Sequence, residues 1–263
     1  LFVDEAQDFS KVARQLCLEL IANPKNLLLA ADTGQSIYTT PPSWRQCDVR
    51  FNFQRRRPIQ LSKSYRATWQ IGQAIAGLRS DPGDEEDHSS NAAPVFSGPK
   101  PVWINANLQD HPKRVAELVA RLVRDGSNPV QAGLIAIIVR ETGRSLSYAN
   151  ELRAKGLPCM VVEKGTPLKV DKEHVHVITA HSSKGLGFPI VIVPDVSAYY
   201  YPPQHLMTRI ADHDQAEDLL AIEQRLLYVA LSRASHQLYL LADADSPSTL
   251  LSKLDRNAHW EKE

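Results

Sequence analysis

The sequence predicts an α/β fold in which a mostly parallel sheet is flanked by helices on both faces. Three observations lead there. From residue 102 onward, short apolar runs of strand length alternate with segments of helix length, the pattern of repeated βαβ units. The run Leu27-Leu28-Leu29-Ala30-Ala31 is apolar without alternation, as a strand buried on both faces would be. Finally, acidic and polar clusters directly follow apolar runs, and open α/β sheets hold their ligands beyond the carboxyl ends of strands.

Taken in order, residues 1–3 read as the end of a strand, broken by Asp4-Glu5-Ala6-Gln7-Asp8. A helix capped by Ser10 follows, with Val12, Leu16 and Leu20 on one face, and Pro24 stops it. The Leu27–Ala31 strand comes next. A helix is expected from Thr68 to about Leu78, then a solvated loop through the acidic run 81–87 and the Ser/Asn/Pro/Gly-rich stretch to Pro101. Val102–Ala106 is a strand. Pro112 opens a helix whose Val115, Leu118, Val119, Leu122 and Val123 recur at i, i+3, i+4 spacing, and Gly126 ends it. Further strands are expected at Leu134–Val139, Cys159–Val162, Val175–Thr179, Ile190–Val193 and Gln237–Leu241. Helices are expected at Ser145–Lys155 and from about Gln215 to Arg233.

Composition removes several classes. At 263 residues with 43% hydrophobic residues the chain can bury a core. Thirty basic and thirty acidic residues cancel, so no global field favours nucleic acid or membrane, though a local basic groove is still allowed. No apolar run reaches the ~20 residues a membrane span needs. Cys17, Cys47 and Cys159 are far apart with no CxxC spacing, which fits free thiols in a reduced, cytoplasmic setting better than zinc or disulfides. The chain starts inside an apolar run without a methionine and reads as a fragment.

Five clusters could carry chemistry. In Asp4-Glu5-Ala6-Gln7-Asp8, one carboxylate can hold Mg²⁺ while its neighbour polarises water for attack on a phosphoryl group; an acidic helix N-terminus answering the helix dipole is the alternative. In Ala31-Asp32-Thr33-Gly34-Gln35-Ser36-Ile37-Tyr38, the neutral amide Gln35 can sense a terminal phosphate, or the segment is an Asp/Gly turn. Leu61-Ser62-Lys63-Ser64-Tyr65-Arg66 ends a basic, aromatic-interleaved stretch from Trp44, which is either a solvated face or a nucleic-acid groove. Thr179–Phe188, with His181, Ser182, Ser183, Lys184 and Gly185 between two strands, offers amides and an ammonium to phosphate oxygens. In Glu223–Ala234 a helix apolar on nearly all sides delivers Arg233, either as an arginine finger or as a C-terminal cation on the dipole.

The order of the five is specific. The sequence resembles the UvrD/Rep/PcrA type of superfamily 1 DNA helicases. Val3–Asp8 resembles that family's second (Walker B) motif, Ala31–Tyr38 the third, Leu61 with Ser64-Tyr65-Arg66-Ala67 the fourth, Thr179–Phe188 the fifth and Glu223–Ala234 the sixth. The resemblance implies RecA-like P-loop NTPase domains that clamp ATP and Mg²⁺ and move along single-stranded DNA or a single/double-strand junction with 3′–5′ polarity. It implies that Asp4 holds Mg²⁺, Glu5 activates water, and Gln35 contacts the γ-phosphate. Tyr65 would stack on adenine, with Arg66 and Arg233 reaching the γ-phosphate. Gly185 would lie at the nucleotide, and Tyr38, His181 and Lys184 at DNA.

Departures from the family pattern shape the expectation. No GxxxxGK[ST] occurs, so the phosphate-binding loop is missing and the chain alone should not hydrolyse ATP. Gly187 stands where the family usually has glutamate, and Ala31-Asp32 where it usually has Gly-Asp. About 110 residues separate the fourth and fifth motifs, too few for the family's large helical insertion. Residues 1–57 are therefore expected to be the tail of a first RecA-like domain and 58–263 a second, complete one. The rival is a non-catalytic helicase-like module that binds nucleic acid or regulates.

Overall fold

The computed structural model describes residues 1–23, 26–32, 44–51, 59, 61, 63–79, 93–124, 129–162, 171–210 and 212–263. The chain opens with β1 (Phe2–Val3), a tight 3-10 turn at Ala6–Asp8 and α1 (Lys11–Glu19). As expected, Ser10 caps α1, its hydroxyl accepting from the Ala13 amide at 3.2 Å. β1 pairs in parallel with β2 (Leu28–Leu29).

This small sheet departs from expectation in two ways. The Leu27–Ala31 strand is not buried on both faces; Leu28 is 60% exposed, since β1 is its sole neighbour among the described residues. The Val12, Leu16, Leu20 stripe of α1 also faces solvent, and the helix turns Arg14, Cys17 and Leu18 inward. Those residues find partners there. Cys17 packs with Val3 and Ala6, and Leu18 with Cys47 of α2 (Trp44–Cys47) and Phe51. The Arg14 guanidinium lies 3.9 Å from the Trp44 ring.

β3 (Lys63–Thr68) and β4 (Ala93–Phe96) form a second parallel pair that sequence reasoning did not anticipate. β4 lies inside the stretch read as loop; the acidic run 81–87 is outside the described residues. α3 (Trp69–Ile75) starts at a Thr68 cap and tightens into a 3-10 turn ending at Leu78, matching the predicted helix.

The remaining strands make one sheet. They are β5 (Val102–Ala106), β6 (Ile135–Val139), β7 (Cys159–Val161), β8 (Val175–Thr179), β9 (Phe188–Val196), β10 (Ala234–Asp243) and β11 (Glu261–Lys262). Their order is β11–β5–β10–β9–β6–β8–β7, and every pairing is parallel. Connecting helices are α4 (His111–Arg124), α5 (Thr142–Ala154), α6 (Gln204–Met207), α7 (His213–Leu231) and α8 (Arg256–His259).

Side-chain alternation along the strands builds two cores. Ile135, Ile137 and Val139 of β6 pack under α4 and α5, with Val115, Val119, Tyr148 and Leu152. Ala136 and Ile138 face the opposite side, under α3 and α7, with Ile71, Leu78, Leu226, Leu227 and Ala230. All five β6 residues are buried, the burial pattern of a central parallel strand. Among the described residues no helix is long and apolar enough to cross a membrane.

Candidate active site

The acidic cluster sits where the sequence placed it, immediately beyond β1. Glu5 adopts a left-handed conformation, φ 51°, and its amide donates to Asp4 Oδ1 at 2.9 Å. Left-handed backbone is uncommon for a residue other than glycine and needs local compensation. Gln7 supplies some of it. Its side chain is buried, its Nε2 donates to Glu5 Oε2 in a short contact, and its Oε1 accepts from the Asp32 amide at 3.0 Å. Gln7 thus ties the Glu5 carboxylate to the backbone just after β2, the start of the segment that continues to Gln35.

From the main sheet, Lys184 reaches this turn. Its Nζ lies 2.5 Å from Asp8 Oδ2 and 3.7 Å from Glu5 Oε2, and its side chain is 9% exposed. It stands in the turn between β8 and β9, where Ser183 Oγ donates to Ala180 O and Gly185 takes the left-handed conformation, φ 79°, that glycine accepts without strain. His181 is half-buried in the same turn.

The arginines come from two other places, Arg66 from β3 in the separate β3–β4 pair and Arg233 from the large sheet. Arg233 follows α7 and precedes β10, and the Phe188 amide at the start of β9 donates to its carbonyl at 2.9 Å. The carboxyl-edge placement expected of Asp4–Asp8 holds, and Arg233 lies at the amino ends of β9 and β10, as its position between a helix and the next strand implies. Arg233 is not presented to solvent. It is fully buried, donating to Val229 O at 3.0 Å, Leu186 O at 3.2 Å and Ser232 Oγ at 3.0 Å. Burial, reinforced by the nearby Arg66 charge and opposed by Glu5, pushes its guanidinium down to about 10.

Arg66 on β3 is exposed. A Cβ added at Gly187 would meet Arg66 Nε at 3.9 Å and Arg233 O at 4.0 Å, so the missing side chain at 187 lies between the two arginines. Tyr65 is exposed, its ring 6.4 Å from that of Phe96 at 68°. The structure thus gathers Glu5, Lys184, Gly187, Arg66 and Arg233 at one seam between the small sheet and the large one. Asp4 is exposed on the same turn as Glu5. Gln35 and Tyr38 lie outside the described residues.

Sequence reasoning assigned no role to Gln7 or Asp8, although both stand in the acidic cluster; an amide between carboxylates was the available signal. Among the described residues no three His, Cys, Asp or Glu side chains converge as a metal cage. One or two carboxylates completed by waters and substrate phosphates is how proteins ordinarily hold Mg²⁺, so an exposed Asp4 fits that ion.

Comparison with known proteins finds relatives for both ends of the chain. The family model described as the UvrD/REP helicase N-terminal domain matches residues 1–58, and that of the UvrD-like helicase C-terminal domain matches residues 166–244. The chain is 26% identical over 249 residues to an ATP-dependent helicase/nuclease of Geobacillus thermodenitrificans, covering 78% of this chain and 20% of that protein. It is 36% identical over 66 residues to the ATP-dependent DNA helicase PcrA of Staphylococcus aureus, covering 25% of this chain and 8% of that one. The chain thus spans about a fifth or less of these relatives. A crystal structure described as the C-terminal domain of a possible DNA helicase from Lactobacillus plantarum WCFS1 superposes with a TM-score of 0.52 at 23% identity, covering 76% of this chain and 98% of that one, and supports the RecA-like α/β fold. The chain belongs to the UvrD/PcrA-like superfamily 1 helicases.

Proposed function

We propose that this chain contributes the water-activating turn and the second phosphate-sensing wall of an ATP-dependent, 3′–5′ DNA helicase or translocase acting on single-stranded DNA or a single/double-strand junction. Residues 1–57 would be the tail of a first RecA-like domain and 58–263 a second. The supporting observation is the seam itself: Lys184 of the large sheet bonded to Asp8 and close to Glu5 of the small one, with Arg66 and Arg233 beside it.

In this reading ATP lies in the seam. Mg²⁺, bound through Asp4 and the nucleotide's phosphates, would neutralise developing negative charge there. Glu5 takes a proton from the attacking water, and Gln7 fixes the direction its carboxylate faces. Arg66 and Arg233 face the γ-phosphate, with Gln35 beside it, and Tyr65 and Gly185 flank the nucleotide. Tyr38, His181 and the exposed part of the β8–β9 turn meet the DNA backbone. An ATP-bound seam would draw both sheets together, and loss of the γ-phosphate would release them, so turnover becomes movement.

The test needs a protein in which this chain is joined to a phosphate-binding loop. There, single-stranded DNA affinity should differ between ATP-analogue and ADP states, and Glu5→Gln should hold the ATP state. Salt-dependent DNA affinity indifferent to nucleotide would support a non-catalytic binding module instead. The 263-residue chain alone should show no DNA-stimulated ATP hydrolysis.

A further inference from the structure

The seam leaves the carboxyl edge of the large sheet unused. Along that edge, several neighbouring strands send their outgoing connections to opposite faces. β9 continues toward α7 on one face while β6 continues to α5 on the other. Likewise β10 leads to the turn Thr249–Lys253 and α8 on the α7 face, while β5 leads to α4 on the α5 face. In open parallel sheets the diverging connections leave a crevice over the strand ends, and such crevices bind ligands.

The β9/β6 crevice is filled. Asp195, at φ 60° near the end of β9, is fully buried there. Arg144 donates to its two carboxylate oxygens at 2.9 and 2.8 Å, Tyr148 donates at 2.6 Å, and His111 Nδ1 lies 3.0 Å from its amide nitrogen.

The β5/β10 crevice is open. A cavity of about 570 Å³ lies over the strand ends, lined by Asn105, Asp243, Thr249, Ser252 and Arg256 around the edge of Trp103. Its two charges do not answer each other. The Arg256 guanidinium rests 4.9 Å from the Trp103 ring centroid, and its buried Nε has no acceptor. Asp243 is 7% exposed, and its Oδ1 accepts from the Leu108 and Asp245 amides, both at 3.3 Å. Among the described residues no side chain of opposite charge pairs with either.

A cavity holding a guanidinium and a carboxylate that each lack an oppositely charged partner suits a ligand with an anion at one end and hydroxyl donors at the other. We infer that it is a second nucleotide site, for a ribonucleoside 5′-monophosphate. The phosphate meets Arg256 through charge-assisted bonds, and the sugar diol meets Asp243, as strand-end carboxylates hold ribose in dinucleotide-binding sheets. The volume lies within the roughly 300–1,000 Å³ of small-ligand pockets. This site does not depend on the seam or on the function proposed for it.

Calorimetric titration of the 263-residue chain with AMP, 2′,3′-dideoxy-AMP and inorganic phosphate tests the inference. AMP should bind; Arg256→Gln should weaken it tenfold or more; Asp243→Asn should weaken AMP several-fold while leaving dideoxy-AMP unchanged. That last contrast separates loss of a contact from loss of the fold, which would abolish both. Arg66→Ala should leave AMP binding intact. Absence of AMP binding, phosphate binding as tight as AMP, or AMP binding that Arg66→Ala removes and Arg256→Gln does not, would each overturn it.

Discussion

The small sheet at the start of the chain and the seven-stranded sheet that follows are made of similar residues and end up in opposite states. In the large sheet, Ile135, Ile137, Ile138 and Val139 are wholly buried because a strand lies on either side and a helix layer covers each face. In the small one, Leu28, Val12, Leu16 and Leu20 are exposed, since β1, α1 and the short α2 cover only one side of them among the described residues. Apolar periodicity says which residues seek cover; whether they find it depends on how many neighbouring elements exist. The reactive groups divide along the same line. The large sheet locks Arg233 among buried carbonyls, whereas the small one holds Glu5 in left-handed backbone by a few bonds and by the Lys184 tie.

Several substitutions test that contrast. The largest expected effect is on chemistry. With the chain joined to a phosphate-binding loop, Arg233→Ala should slow single-turnover ATP hydrolysis by about 10³–10⁵-fold, the range of an arginine finger. A loss below tenfold would leave Arg233 a buried structural cation.

Next is Asp195, a fully buried carboxylate of the large sheet. Removing it with Asp195→Ala strands Arg144 and Tyr148 and should cost about 3–5 kcal/mol in denaturant unfolding. Burial alone would raise its carboxyl, but bonds from His111 and Arg144 outweigh this and hold it below its ordinary 3.8. Its stabilisation is therefore complete above the unfolded-state value, near pH ~4, and is lost as pH falls through the lower native value. Asp195→Asn should flatten the acid limb of the stability profile, and an unchanged limb would mean the carboxylate is not ionised in the native state.

The core comparison is sharper still in kind, if smaller in size. Ile137→Ala should cost about 2–5 kcal/mol, while Leu16→Ala on the exposed stripe of α1 should stay within about 0.5 kcal/mol. A large cost at Leu16 would mean that its stripe is covered in solution. Smallest is Lys184→Met, which removes the tie between the sheets. It should cost about 1 kcal/mol, less at high salt, and hydrogen exchange should quicken at the Ala6 and Ala30 amides, which donate to Ala30 O and Val3 O across the small sheet. Unchanged exchange would mean the small sheet holds its own shape.

Most of the large sheet was legible beforehand. Val102–Ala106 and Val175–Thr179 coincide with β5 and β8, and the helix expected from about Gln215 to Arg233 is α7, His213–Leu231. Strand and helix periodicities differ enough to be read where runs are long and buried on a full face. β3 and β4 were missed because each pairs with one partner and carries polar and proline residues. The site was legible as motifs rather than as geometry. Glu5, Lys184, Arg66 and Arg233 could be named from their clusters. Gln7's crossbar to Asp32 and the Asp195–Arg144–Tyr148–His111 network, whose members are scattered along the chain, could not.

By itself, the sequence determined the alternation of elements, the order of the five clusters and the residue types able to handle phosphate, because these depend on local spacing and side-chain chemistry. The assembled fold alone settled that Arg233 is buried among carbonyls, that Lys184 closes on Asp8, and that the β9/β6 crevice is filled while the β5/β10 crevice is open. Each of those depends on contacts between residues far apart in the chain, and no local pattern encodes which distant partner will arrive or what space it will leave.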